Sequence, residues 1–375
     1  MSDMVNKLAF RFYRQAAAGK SRNFVFSPYC LMTAFALARE GAAGKTAEEM
    51  DKVFSFSAGP EKRKDAAAKI AKALEISSDG TDFADASSLW LQKGTYILPE
   101  YEKRVKKFCG AKTHTADFLT NSEKSRGKIN SWTEKNTRGL IKNLLPQNSI
   151  NKFTKMILVS AVYFYGEWQD KFIKFCTKAE LFYPHFSKKK SVKMMRKTEF
   201  FPYCQKNGVQ YLSLPYIYDG DEEDSGMEML IVLPKDKGTF IQTEKHLSPQ
   251  DIANIRKEMK TEYVSVSIPK FKIRYSAELK EYMYKLGMKT PFSYKADFSG
   301  ITDAYKLKID SALHKAYISV TEDGTEASAA TAIFGGYYGC PPKPKHIFRA
   351  NKPFIFFIRE KKTGLILFMG KLENP

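Results

Sequence analysis

The sequence predicts an α+β fold, on three observations. The first third of the chain alternates helical hydrophobic spacing with turns, the stretch from residue 153 onward is rich in β-branched and aromatic runs, and no regular strand-helix-strand alternation joins the two. With 375 residues, 43% of them hydrophobic and 27% charged, the chain has globular composition and enough length for a large core. No segment has the length and polarity of a linker and no internal repeat is visible, so residues 1–375 read as a single domain.

Val5, Leu8, Ala9, Phe12 and Tyr13 have the spacing of an amphipathic helix. No apolar block followed by a small-residue cleavage site is present, so the amino terminus reads as a folded element and not a signal peptide. Residues 61–77, "EKRKDAAAKIAKALEIS", set Ile70, Leu74 and Ile76 to one side of a basic surface helix. Ile129, Trp132, Leu140 and Leu144 are near helical spacing over 129–145, with Gly139 as a weak point. "TKMILVSAVYFYGEW" is a near-continuous apolar run, expected of a central strand covered on both faces.

Val264, Val266 and Ile268 alternate with serines, then Phe271, Ile273 and Tyr275 alternate with basic residues. The two runs are out of phase across Pro269, and a bulge there would reset the inward face. "PFIFFIREKKTGLILFMGKL" reads as two buried strands joined by a charged turn.

Lys plus Arg less Asp plus Glu is 61 − 41 = +20, a field that favours anionic polymers or membrane surfaces. The longest apolar runs are too short to span a bilayer. Five scattered cysteines, Cys30, Cys109, Cys176, Cys204 and Cys340, form no C-x-x-C pair or zinc-ligand spacing. With the absence of any N-x-[ST] acceptor, this points to a reducing compartment. There is no G-x-S-x-G, H-E-x-x-H or phosphate-binding glycine loop, and the five histidines are isolated in sequence, so nothing local supports an enzyme.

The most unusual stretch is "EDGTEASAATAIFGGYY" at 322–338, in a chain that is 14% aromatic. Extended, it would set Thr325, Ala327, Ala329, Thr331 and Ile333 on one face and Glu326, Ser328 and Ala330 on the other. Alanines offer little of the roughly 25 cal/mol per Å² that burial supplies, so the segment is expected to be exposed and mobile. No bulky or charged residue occupies its inward positions, so nothing prevents it from entering a sheet as an added strand.

At this point the chain resembles the serpins along its whole length. The resemblance rests on "NFVFSPY" at 23–29, "INSWTEKNTRGLIKNLLP" at 129–146, "ILVSAVYFYGEW" at 157–168, "MLIVLP" at 229–234, "IPKFKIRYSAELKEYMYKLGM" at 268–288 and "DFSGI" at 297–301. It continues through "HKAYISVTEDGTEASAAT" at 314–331 and "NKPFIFFIREKKTGLILFMGKLENP" at 351–375. The resemblance implies an α+β serpin fold of three β-sheets with eight or nine helices and an exposed reactive-centre loop at about 322–350. It also implies a suicide-substrate inhibitor of serine endopeptidases, not an enzyme. A target protease attacks the loop and forms an acyl-enzyme through its own serine, and the loop then inserts into the central sheet. About fifteen residues at roughly 3.3 Å each would carry the protease some 50 Å.

The hinge this implies is Glu322, Asp323, Gly324, Thr325, Glu326, Ala327, Ser328, Ala329, Ala330 and Thr331, whose small residues match inhibitory members. Counting seventeen residues from Glu322 places the reactive bond between Tyr338 and Gly339, suited to chymotrypsin-like proteases. Tyr337, Phe334 and Lys345 are alternative reactive residues, and counting back from "NKPF" gives a bond near Pro342. Trypsin-like or papain-like cysteine proteases remain alternative targets, as does a non-inhibitory role as a binding protein or chaperone.

The family's sheet-opening cluster maps to Ser27, Cys30, Ser160 and His314, and the tryptophan under the top of the sheet to Trp168. Cys30 stands where a serine is usual and Ser160 where asparagine is usual. Because the serine is shorter, a rewired cluster bridged by water is expected. Candidate polyanion contacts are Lys62, Arg63, Lys64, Lys69 and Lys72, and a second group at Lys188, Lys189, Lys190, Lys193, Arg196 and Lys197. No cofactor is expected to be required. A heparin-like glycosaminoglycan is a candidate activator, and the expected partners are a target serine protease in covalent complex and a sulfated polysaccharide, the protein itself being a monomer without a membrane span. The expected location is cytoplasmic or unconventionally secreted, or extracellular if a signal peptide has been removed.

Overall fold

Helices occupy much of the amino-terminal third and strands most of the remaining chain, and the apolar spacing of each segment decides which. The computed structural model describes residues 2–18, 22–57, 59–65, 68, 80–106, 112–220, 225–325 and 343–375. Helix α1 (Ser2–Ala17) buries Val5, Leu8, Ala9, Phe12 and Tyr13, the stripe its spacing predicts. After β1 (Phe24–Phe26), helix α2 (Pro28–Arg39) is buried all round. Its start is fixed by Pro28 in the first turn and by the Ser27 side chain, which accepts from the Cys30 N–H. Helix α3 (Gly44–Phe54) and the described part of α4 (residues 60–65 and 68) come next.

The chain then lays down β2 (Thr81–Asp85), β3 (Ser88–Gln92), α5 (Pro99–Lys106), β4 (Lys112–Ala116), α6 (Ser122–Asn136) and β5 (Met156–Glu167). Next come β6 (Lys178–Phe182), β7 (Lys190–Lys206), β8 (Val209–Pro215), β9 (Met227–Pro234), α7 (Lys237–His246), α8 (Pro249–Glu258), β10 (Lys260–Pro269) and β11 (Phe271–Glu278). The last elements are α9 (Lys280–Leu286), β12 (Ser311–Val320), β13 (Gly324–Thr325), β14 (His346–Arg349), β15 (Phe354–Glu360) and β16 (Ile366–Leu372).

Among the described residues these strands form two hydrogen-bonded sheets. The central sheet runs β11-β12-β13-β5-β3-β4, with β2 also paired to β5. The other runs β1-β16-β15-β9-β8-β7-β10-β14, with β6 on β7. Its two parts are continuous along the 17-residue β7, which pairs with β8 at its C-terminal end and with β6 and β10 over the rest.

Strand β5 carries the architecture. Met156, Leu158, Val162 and Phe164 enter the main core, while Ile157, Val159 and Ala161 enter a smaller cluster with Trp90, Phe118 and Ile129 of the other face. Burial on both faces explains the unbroken apolar run. The carboxyl-terminal hairpin forms as expected, Phe354 to Ile358 lying antiparallel to Leu372 to Phe368.

Two expectations are corrected. Helix α6 starts at Ser122 and stops at Asn136, short of the predicted 145: Arg138 and Gly139 both take positive φ, ending the helix, and Ile141, Leu144 and Leu145 reach the smaller cluster from non-helical chain. The phase slip at Pro269 is not a bulge. It is a change of sheet, β10 pairing with β7 and β11 with β12, so each run is in phase with its own core.

Candidate functional site

The chain leaves β12 at Val320, makes a tight turn and returns as β13 between β12 and β5. The turn is closed by the Thr321 N–H on the Gly324 carbonyl at 2.8 Å and the Gly324 N–H on the Thr321 carbonyl at 3.3 Å. Thr325 then pairs with Val320 on one side and Gly166 on the other, antiparallel to both neighbours. Glu322, Asp323, Gly324 and Thr325 are all buried, which corrects the expectation that the segment from Thr325 is exposed at its start. A Cβ on Gly324 would lie 2.0 Å from the Gly166 carbonyl oxygen, and its φ is +151°, so the backbones approach where only glycine fits.

Trp168 holds this turn from below. Its backbone N–H donates to the Asp323 carbonyl at 3.0 Å and its indole N–H to the Thr321 carbonyl at 2.9 Å. Its ring stacks on Tyr216 with centroids 4.7 Å apart, and the Tyr216 hydroxyl lies 2.7 Å from the Thr325 hydroxyl. Glu322 is fixed by the Lys270 ammonium at 2.6 Å and the Thr177 hydroxyl at 2.9 Å. Burial pushes its carboxyl up, but the bonds from Lys270, its own backbone and Thr177 outweigh burial and leave it below the usual carboxylate range. Lys174 reaches Asp323 at 3.0 Å.

The residues expected to form a sheet-opening cluster meet lower in the same sheet. His314 and Ser160 are register partners in the parallel pair β12 and β5, and the Ser160 hydroxyl lies 2.9 Å from His314 Nδ1. His314 Nε2 accepts from the Ser27 N–H at 3.2 Å, so Nδ1 carries the proton and donates to Ser160. This corrects the expected water bridge: adjacent strands in register bring the shorter serine within direct reach. Burial pushes the imidazole down to about 3 and keeps it neutral.

Cys30 joins through its backbone, its N–H donating to Ser27 Oγ at 3.1 Å and its carbonyl accepting from Ser87 Oγ at 3.1 Å. The Ser87 N–H and hydroxyl both bond Asp85 Oδ1, at 2.8 and 2.5 Å. Burial pushes the Asp85 carboxyl up to about 6 against bonds from Ser87, Cys30 and Thr33.

Beyond Thr325 the predicted site leaves the described residues: Glu326, Ala327, Ser328, Ala329, Ala330, Thr331, Phe334, Tyr337, Tyr338 and Gly339 lie outside them, as do Lys69 and Lys72. Lys345 is described. Its N–H donates to the Tyr263 carbonyl at 3.0 Å and its ammonium meets both Glu262 oxygens at 2.8 Å, so it belongs to the root of β14 and not to a free loop. Arg63 corrects the polyanion reading, being 6% exposed and paired with Glu40 at 2.5 Å. Lys62, Lys188, Lys189 and Lys193 are exposed, Lys64 pairs with Glu61 and the Lys190 ammonium is bonded to the Pro375 carbonyl.

Sequence reasoning missed Lys270, Thr177, Tyr216, Asp85 and Ser87. Lys270 had a signal, since it stands at the phase slip after Pro269 where the chain turns from one sheet to the other. The others come from elements distant in sequence with no local pattern.

No group of three metal-ligating side chains occurs among the described residues, and no helix there is long and apolar enough to cross a membrane. A family model described as "Serpin (serine protease inhibitor)" matches residues 3–375. An uncharacterized serpin-like protein of Thermococcus kodakarensis is 38% identical over 376 residues, 99% of this chain and 85% of that protein. The leukocyte elastase inhibitor of Xenopus tropicalis is 33% identical over 383 residues, covering 100% of this chain and 99% of that protein. The crystal structure of Serpin48 of Tenebrio molitor, described as a highly specific serpin, is 28% identical with a TM-score of 0.86 over 100% of this chain and 98% of its own.

Proposed function

The chain belongs to the serpin family, and from that premise we propose that it is not an enzyme but an inhibitor of serine endopeptidases that works as a suicide substrate. The observation that carries this reading is β13: Gly324 and Thr325 already form a strand between β12 and β5 at the top of the central sheet. Below it, β12 and β5 pair directly and in parallel from Tyr317 and Tyr163 down to Ser311 and Ile157. An antiparallel strand entering between them exchanges those bonds for two new ladders, and the small inward residues after Thr325 need little room.

Insertion separates His314 from Ser160, so their hydrogen bond is the latch the advancing strand must break. Glu322 and Asp323 stay anchored by Lys270, Thr177 and Lys174, which gives the strand a fixed upper end. The protease, held as an ester on the loop, is thereby drawn along the sheet and distorted before the ester is hydrolysed.

Tyr338 as the residue preceding the cleaved bond favours a chymotrypsin-like target. Lys345 is a weak alternative because both its backbone and its ammonium are committed to β10. The exposed lysines Lys62, Lys188, Lys189 and Lys193 are the contacts a sulfated polysaccharide would use, by releasing counterions.

The test is a denaturing gel after incubation with chymotrypsin, with amino-terminal sequencing of the released fragment. A complex that survives SDS, with a fragment beginning at Gly339, supports mechanism and register together. Cleavage with no stable complex, repeated with a trypsin-like and a papain-like protease, would overturn inhibition and leave a non-inhibitory binding role.

A further inference from the structure

A cleft of about 470 Å³ opens between the short helical turn Lys174–Cys176 with β6 on one side and β10 with β14 on the other. At its floor is Glu180, whose side chain is 5% exposed. Arg196 meets this carboxylate through Nε at 2.6 Å, and Arg349 meets it through Nε at 3.0 Å and through Nη2. Burial raises the Glu180 carboxyl, but the two guanidiniums outweigh it and hold it ionised, below the usual range.

One buried carboxylate therefore sets two guanidiniums side by side and neutralises only one of them. Lys178 and Lys197 also line the cleft; with Lys197 facing Asp170 at 3.6 Å and Glu180 at the floor, four cations stand against two carboxylates. Arg196 spends only its Nε on Glu180, and Arg349 keeps Nη1 free of it. Paired guanidinium N–H groups with fixed geometry suit an oxyanion. Above them, Phe175 is 90% exposed and Ile347 68% exposed, a costly apolar rim for a surface otherwise so charged.

We propose that this cleft binds an aryl ester of phosphate or sulfate, its anionic head between Arg196 and Arg349 and its ring against Phe175 and Ile347. The same chemistry is offered by a free aryl ester and by a phosphorylated or sulfated tyrosine on another protein. The cleft lies beside both roots of the loop: Cys176 in its wall precedes Thr177, which holds Glu322, and Arg349 ends β14. The site does not depend on inhibition, and its test is separate from protease trapping.

The test is calorimetric titration of the intact protein with phenyl phosphate, inorganic phosphate and a short capped phosphotyrosine peptide at moderate salt. Saturable one-site binding of phenyl phosphate is expected, weakened about tenfold in Arg349→Ala, in which Arg196 still partners Glu180. Phe175→Ala removes an exposed ring without disturbing the core, and should weaken phenyl phosphate about fivefold while leaving inorganic phosphate unchanged. Tighter binding of the peptide would assign the ester to a protein partner, and equal or weaker binding to a free ligand. Absence of saturation, or affinity equal in wild type, Arg349→Ala and Phe175→Ala, would overturn the site and reduce the effect to general attraction by the basic surface.

Discussion

The Thr325 hydroxyl lies 2.7 Å from the Tyr216 hydroxyl, inside the central sheet and one residue past the turn at Gly324. Under the proposed mechanism the strand this contact begins is the one a cleaved loop extends, and its environment makes several consequences measurable.

Gly324→Ala should expel β13. The added methyl would meet the Gly166 carbonyl at 2.0 Å in a backbone region that L side chains rarely adopt, so the pairing with β5 cannot persist. The expected readout is loss of hydrogen-exchange protection at Thr325 and a changed Trp168 fluorescence, with the carboxyl-terminal hairpin unaffected. Unchanged protection at Thr325 would contradict the close approach.

Lys270→Ala leaves the Glu322 carboxylate buried with only Thr177 as a side-chain partner. A hydrogen bond to a charged group contributes about 1.5–3 kcal/mol, and a loss of that size should register in urea unfolding at pH 7. The folded pKa of Glu322 is depressed, so this contribution is present above its ordinary 4.5 and fades as pH falls through the lower folded value. Wild type and Lys270→Ala should therefore converge in stability once the pH lies below that folded value. A difference that persists there would assign the effect to packing.

The network that joins His314 and Ser27 to Cys30, Ser87 and Asp85 holds two groups with opposite pH signs. Asp85, raised from 3.8 to about 6, binds its proton more tightly when folded, so its contribution falls as pH rises through that window. His314, lowered from 6.5 to about 3, resists protonation when folded, so its contribution falls as pH drops through that range. Between about pH 4 and 6 the two slopes oppose each other. Asp85→Asn should make stability fall more steeply on acidification, and His314→Gln should make it rise. The slope of the urea midpoint against pH is the measurement, and parallel slopes in all three proteins would refute the opposition.

Ser160→Ala removes the acceptor for the proton on His314 Nδ1 and leaves a buried donor unsatisfied, at about 1–3 kcal/mol. Under the proposed mechanism that bond lies across the path of the entering strand between β12 and β5, so the same variant should convert faster to the loop-inserted form on mild heating. Slower conversion would show that the bond does not latch the sheet.

Arg63→Ala should cost about 3–5 kcal/mol by leaving Glu40 buried without its partner, with no change in heparin affinity. Lys62→Ala should leave stability unchanged. The opposite pattern, with heparin binding lost in the arginine variant, would restore Arg63 as a surface contact.

The sequence by itself determined the elements whose residues carry their own periodicity. The buried stripe of α1, the doubly covered β5 and the terminal hairpin are consequences of spacing alone, and the family motifs singled out Trp168 and His314. Tertiary structure decided what depended on residues far apart in the chain. Gly139 looked like a weak point, but only packing showed that Leu144 reaches the core without a helix. The slip at Pro269 was visible, yet its cause required a second sheet, and with it the placement of Lys270 against Glu322. Arg63 counted as one more surface cation until Glu40, 23 residues away, was brought beside it. A periodic pattern reports which face of an element is dry, whereas an ion pair or a shared register depends on where two elements meet, and no local spacing encodes that meeting.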